Sequence, residues 1–297
     1  MTKPVNVVCM WWRREDGTEK FGLEYVNRLY RMVEKNLTIP HRFVCFTEDT
    51  VGHDGTVLDA GIEHFPLPPV KLRGGLPERG WKKLGMLSKK LGDLTGTALF
   101  LDLDTVIVDN IDALFEQPGE FIIARDTKNN DEVGNSSVFR FVIGKHADIL
   151  DNFEKNSEQI RTEVRHEQAY MSREMRRKGI FSFWNEPIAG AHSPGPDDKR
   201  SASLGGHCAP NTSAKGRKNA PLQRPRMCES WCVSFKYCCL LPFPFNWFVA
   251  PGYPRTAKVI IFHGRPNNEQ AMNGFTAKFG LRRVRPTKWI RKYWIGE

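Results

Sequence analysis

Apolar and polar positions fall in blocks whose period changes along the chain. Val5–Met10 is a short apolar run and reads as a buried first strand. Residues 11–20 are polar and turn-like. Across 24–37, Val26, Leu29, Tyr30, Val33 and Leu37 share one helical face, and Pro40 stops that helix. His41–Phe46 reads as a second strand. After a Gly- and Pro-rich connection, Trp81, Leu84, Leu87 and Leu91 mark an amphipathic helix, with Lys82, Lys83, Lys89 and Lys90 on its polar side. Residues 97–103 form a near-continuous apolar run ending in acid, the pattern of a central parallel strand. Two more strands are expected at 121–124 and 137–142, and a helix over 158–175. Such alternation over the first 180 residues predicts an α/β fold with an open, mostly parallel sheet flanked by helices.

The pattern then changes. Residues 193–227 are dominated by Pro, Gly, Ser, Lys, Arg and Asn, and read as a long flexible insertion. Ordered sequence resumes at 231–236 and runs to a last strand at 257–262. The aromatic run Phe243, Phe245, Trp247 and Phe248 is expected in the core, with acceptor binding the second reading. No internal repeat interrupts this order. The expected organisation is a single domain over 1–297, in three parts: a ligand-binding half over 1–180, the insertion, and a C-terminal half over 228–297.

Composition narrows the class. The chain has 297 residues and an apolar fraction of 40%, enough for a sizeable core. No stretch approaches the roughly 18–20 apolar residues needed to span a bilayer, and the start lacks the layout of a signal peptide. Seven cysteines, an odd number, are expected as free thiols in a reducing compartment, which places the protein in the cytoplasm. Cys228, Cys232, Cys238 and Cys239, with Cys208, lack the spacing of a zinc ribbon or finger. The net charge of +10 implies anionic partners. Lys278, Arg282, Arg283, Arg285, Lys288, Arg291 and Lys292 concentrate it at the end, either as a solvated basic face or as a peripheral contact with an anionic membrane. No nucleic-acid motif accompanies it.

Candidate chemistry centres on Asp102 and Asp104. Side chains two apart on a strand point the same way, so these carboxylates are expected to form a pair at a strand's carboxyl end. Open α/β sheets bind ligands at that edge, and two carboxylates there attract a hard divalent cation that in turn neutralises a diphosphate. An exposed acidic strand end is the plain alternative. A haloacid-dehalogenase-type phosphatase, with Asp102 as nucleophile and Asp104 as acid, is the competing enzyme. That family has Gly-Thr after the second Asp on an early strand, whereas Thr105 and Val106 follow here.

Several blocks together resemble a GT-A-fold (Rossmann-like) glycosyltransferase of the retaining glycogenin and lipopolysaccharide-sugar-transferase group. They are Glu24-Tyr25-Val26-Asn27-Arg28, Trp81-Lys82-Lys83-Leu84, Leu99-Phe100-Leu101-Asp102-Leu103-Asp104, Asn135-Ser136-Ser137, Glu167-Gln168 and His263-Gly264-Arg265-Pro266. The resemblance implies transfer of a sugar from a nucleotide diphosphate sugar, a UDP-sugar, to an acceptor hydroxyl with retention, the acceptor being a carbohydrate or glycolipid. It implies Mn²⁺ or Mg²⁺ held by Asp102, Asp104 and His263, and donor phosphate met by Lys83, Gly264 and Arg265. Asp126 and Asn135 would bond the donor sugar's hydroxyls, with turn formation as their bland role. Glu167 and Gln168 would lie where the glycosidic bond changes hands, Glu167 in place of the family's usual Asp. The family's H-x-x-G-x-x-K-P-W form is not reproduced around His263, and Trp11 and Trp12 replace the small polar residues common after the first strand.

Overall fold

The structure is a computed structural model, and it describes residues 4–14, 16–72, 80–126, 132–185, 228–277 and 282–296. The expected insertion at 193–227 lies outside them, as do Cys208 and Lys278.

A seven-stranded sheet forms the centre. Its strands are β1 (Val5–Met10), β2 (His41–Phe46), β3 (Glu63–Phe65), β4 (Thr97–Leu101), β6 (Phe121–Arg125), β7 (Gly134–Val142) and β8 (Phe181–Phe183), in the order β3-β2-β1-β4-β7-β6-β8. Only β7 runs against its neighbours, so the expected open, mostly parallel α/β sheet is what forms. The near-continuous apolar strands have a direct cause: both faces are covered. Val7, Cys9, Leu99 and Leu101 pack on one face, against α1 (Glu24–Asn36). Val8, Met10, Ala98 and Phe100 pack on the other, against α3 (Ala147–Glu163) and α4 (Glu167–Arg177). A three-stranded sheet of β5 (Thr105–Ile107), β10 (Val259–Ile261) and β9 (Cys232–Ser234) adjoins the first face. Further elements are the short helices α2 (Ala113–Glu116), α5 (Asn268–Asn273) and α6 (Lys288–Ile290), a hairpin of β11 (Phe275–Ala277) with β12 (Arg282–Val284), and short 3₁₀ or π turns at Trp81–Leu87, Phe235–Cys239, Phe245–Trp247 and Arg291–Ile295.

Five expectations change. The segment expected as one amphipathic helix from Trp81 is a 3₁₀ helix, Trp81–Leu87, and its Lys83 turns inward instead of joining a solvated polar face. The helix expected over 158–175 is two helices broken at 164–166, where Val164 and His166 take extended backbone. The strand expected over 97–103 ends at Leu101, so the two acids lie in a turn. Cys228 and Cys238 are disulfide-bonded with Cα atoms 5.3 Å apart, whereas Cys9, Cys45, Cys232 and Cys239 are free and buried. That bond removes the thiol argument for a reducing compartment. The aromatic run at 243–248 is on the surface and not in the core. No helix among the described residues is long and apolar enough to cross a membrane.

Candidate active site

The chain lays down β1, β2 and β3 outward to one side, then returns to place β4 on the other side of β1. This reversal leaves a crevice beyond the carboxyl ends of β1 and β4, the place where open parallel sheets take ligands. A cavity of about 610 Å³ occupies it. Met10, Trp11 and Trp12 line it from the end of β1, and Asp102, Leu103 and Asp104 from the end of β4. Arg14, Asp16, Lys20, Phe21, Gly80, Lys83 and Glu167 complete the wall.

Backbone bonds hold the acidic turn. Asp102 N–H donates to Ser137 O at 2.8 Å, and Thr105 donates to Asp102 O through both its N–H (3.2 Å) and its hydroxyl (2.8 Å). Leu103 packs into the core, which leaves the two carboxylates facing the cavity. Lys83 Nζ lies 2.7 Å from each oxygen of Asp102 and 3.5 Å from Ser136 O. Burial disfavours the ammonium, but Asp102, Glu167 and Asp104 more than offset that and hold its pKa above the usual lysine value. Burial, then the neighbouring Asp102 charge, pushes the Asp104 carboxyl up to about 7.

A bulge in β7 organises the opposite wall. Ile123 pairs with Phe139 while Ala124 pairs with Asn135, so residues 136–138 are extra on the β7 side. Gly134 makes the close approach possible, since a Cβ there would sit 2.5 Å from Ile123. Within the bulge Ser136 donates its hydroxyl to Glu167 Oε1 at 2.8 Å. Asn135 Oδ1 accepts from Ser137 N–H at 2.9 Å, the turn-forming role weighed against sugar binding. Gln168 Nε2 donates to Asp126 Oδ2 at 3.2 Å. Lys83, Asp102, Ser136 and Glu167 therefore form one connected network, with the Asp126–Gln168 pair one residue further along α4.

The last strand reaches the same edge from the other side. β10 pairs antiparallel with β5, Ile261 opposite Thr105, so the chain beyond Ile261 runs toward Asp104 and Asp102. His263, however, is not gathered with the two acids. Its ring stacks on Tyr237 (centroids 5.9 Å apart), and Nε2 lies 3.5 Å from Ser234 Oγ. Among the described residues, no three His, Cys, Asp or Glu side chains come close enough to hold a metal. The expected three-ligand set is thus not formed in this geometry. Lys236 donates to the His263 carbonyl, and its ammonium lies 3.3 Å from where a Cβ on Gly264 (φ +69°) would stand. Arg265 is exposed.

The phosphatase reading fits poorly. Its nucleophile would be Asp102, whose two oxygens both lie against Lys83. Three cavity residues, Trp12, Lys20 and Gly80, and Ser136 behind Glu167 have no role in the sequence reading. The two tryptophans directly after an apolar strand were the available signal for the first of these.

The fold and cavity define an α/β protein with a pocket of charged and aromatic side chains at its strand-order reversal. No protein-family model matches the chain, and no curated protein matches it. Solved structures are partly similar to it, among them the following two. One is the galactosyltransferase LgtC in complex with donor and acceptor sugar analogs, at 14% identity and a TM-score of 0.41, covering 61% of this chain and 73% of that one. The other is the glycosyltransferase GlyE of Streptococcus pneumoniae TIGR4, at 13% identity and a TM-score of 0.41. That match covers 62% of this chain and under half, 46%, of GlyE. Both are likenesses in the course of the backbone.

Proposed function

We propose that this chain is a metal-dependent glycosyltransferase that moves a sugar from a nucleotide diphosphate sugar to an acceptor hydroxyl. One observation carries the reading: the paired carboxylates Asp102 and Asp104 open into a cavity at the strand-order reversal, beside an aromatic and basic wall. Two carboxylates in one cavity fit a divalent cation that arrives with a diphosphate, because such a cation takes one or two protein carboxylates and fills its shell with phosphate oxygens and water. Mg²⁺ and Mn²⁺ both suit that oxygen set. When bound, the cation neutralises the departing diphosphate.

The chain's own residues do the rest. Lys83 fixes Asp102 by an ion pair, while Lys20 brings a second positive charge to Asp104. Trp12 and Phe21 offer flat apolar surface to the donor's base. Glu167, held by Ser136, and the Asp126–Gln168 pair supply oriented oxygens and an amide to the donor sugar's hydroxyls. Retention and a UDP donor are carried over from the resemblance of the motif blocks; the anomer of the product, read by NMR, tests the first.

The direct test incubates wild type with a panel of nucleotide sugars and Mn²⁺ or Mg²⁺, measuring nucleoside-diphosphate release by coupled assay and nucleoside-diphosphate binding by calorimetry. Metal-dependent binding and release, both lost in Asp104→Ala, is the expected result. No binding of any nucleoside diphosphate by wild type, or an Asp104→Ala protein indistinguishable from it, overturns the proposal.

A further inference from the structure

The aromatic run that the sequence assigns to the core is displayed outward. Phe243, Phe245 and Phe248 are 58%, 60% and 72% exposed, and every residue from 241 to 250 is exposed except Asn246. The segment is nevertheless built and not frayed. Asn246 N–H donates to Pro242 O (3.2 Å), Trp247 N–H to Pro244 O (3.0 Å) and Val249 N–H to Phe245 O (3.0 Å). Trp247 meets Phe243 edge to face, with centroids 5.9 Å apart. A fixed turn that holds this much apolar surface in water marks a contact surface.

Charge identifies the partner. The turn is fastened to the basic end of the chain: Asn246 Nδ2 donates to Arg283 O (3.1 Å), and Arg285 donates to Trp247 O (3.3 Å). Arg283, Arg285 and Lys288 are all exposed. Residues 230–296 hold eleven Lys and Arg against Glu269 alone. The rest of the chain holds thirty-three of each sign, so the whole net charge of +10 lies in this segment. A second copy of the chain is a poor occupant, because a self-complementary contact would oppose arginine to arginine. An aromatic turn rimmed by cations suits the headgroup layer of an anionic bilayer, where the rings enter the acyl boundary and the cations meet phosphates.

We propose that the 241–249 turn and the adjoining Arg283–Lys288 segment form a single surface that docks this protein on anionic lipid bilayers. Co-sedimentation of the full chain, with vesicles of phosphatidylcholine alone or mixed with phosphatidylglycerol, tests it. Wild type is expected to sediment with the mixed vesicles only, and to be released by high salt. Phe245→Ser/Phe248→Ser should weaken binding by about 10-fold or more. Arg283→Ser/Lys288→Ser should weaken it by about 5-fold per cation removed. All these side chains are exposed, and circular dichroism with a thermal melt checks that each variant is folded. The proposal is overturned if wild type ignores mixed vesicles, or if the Phe245→Ser/Phe248→Ser protein sediments as wild type does. It is overturned equally if wild type is a dimer by ultracentrifugation that this variant converts to monomer, since a second copy would then cover the turn.

Discussion

The two halves of the molecule treat charge in opposite ways. Residues up to 185 interleave their signs and pair them across the surface. Arg42 meets Glu63 and Asp93, Arg31 meets Asp59, Arg173 meets Glu163 and Glu174, and Lys178 meets Asp148. Each exposed pair contributes little to stability, but together they leave that half nearly without a net field. The charges gathered most closely are inside the crevice, where Asp16, Asp102, Asp104 and Glu167 share one cavity with Arg14, Lys20 and Lys83. The C-terminal half has almost no acid with which to pair. One half thus concentrates its electrostatics in a pocket the size of a small ligand, and the other spreads a single sign over a face. Small-molecule chemistry and docking to an extended surface are accordingly expected to separate under mutation.

The sharpest way to break this comparison is to remove the charge that only the pocket needs. Asp104→Ala should lower turnover of the nucleotide sugar by about 100-fold or more, the scale of losing one preorganised electrostatic contact at a reacting centre. Vesicle sedimentation should be unchanged. If both activities fall together in a protein that melts at the wild-type temperature, the two halves are not independent.

Lys83 comes next. Lys83→Met leaves the Asp102 carboxylate largely buried without its cation, and should cost about 2–3 kcal/mol of stability in urea unfolding. That is below the figure for a fully buried pair, because Asp102 keeps a 22% exposed side chain. Lys83→Arg should recover most of the loss. A Lys83→Met protein as stable as wild type would mean that the Lys83–Asp102 contact holds nothing together.

A comparable effect is expected in the other half. The Cys228–Cys238 bridge closes a loop, the two cysteines 10 residues apart, that contains β9. Reduction, or the double change Cys228→Ser/Cys238→Ser, should destabilise the protein by about 2–3 kcal/mol. The bridge adjoins the Tyr237–His263 stack and not the acidic turn, so nucleoside-diphosphate binding should fall less than stability does.

How much of this was legible in the sequence differs between the halves for the same reason. Val5–Met10, His41–Phe46 and the run before Asp102 were readable because strands covered on both faces need apolar residues at every position. The helix face of Val26, Leu29 and Val33 was readable because one side packs on the sheet. The helical period alone puts Lys83 on the polar side, and only the motif resemblance turns it toward the site, because a period reports which face turns inward and says nothing of a buried acid that can hold a lysine there. The strand expected over 97–103 stops at Leu101 because backbone bonds from Ser137 and Thr105 shape the turn, and these lie far along the chain or in the main chain itself. At Phe243, Phe245 and Phe248, aromatic content was equated with burial. Hydrophobic residues inside is a one-way rule, and a docking surface is where it fails.

The smallest effect tests the link that joins the pocket's two walls. Ser136 sits in the β7 bulge, its carbonyl toward Lys83 and its hydroxyl on Glu167, which is itself only 6% exposed. Ser136→Ala removes the hydroxyl and leaves the carbonyl, so the Lys83–Asp102 contact should persist. Glu167 then loses a hydrogen bond to a buried charged group, which should cost about 1–2 kcal/mol in unfolding. If Glu167 orients the donor sugar, turnover should fall by about 10-fold while nucleoside-diphosphate binding stays at the wild-type level. A loss of both in equal measure would instead make the bulge a support for the acidic turn, through the bond from Asp102 N–H to Ser137 O. Ser136→Thr keeps the hydroxyl and should restore turnover if the bond matters more than the fit of one extra methyl.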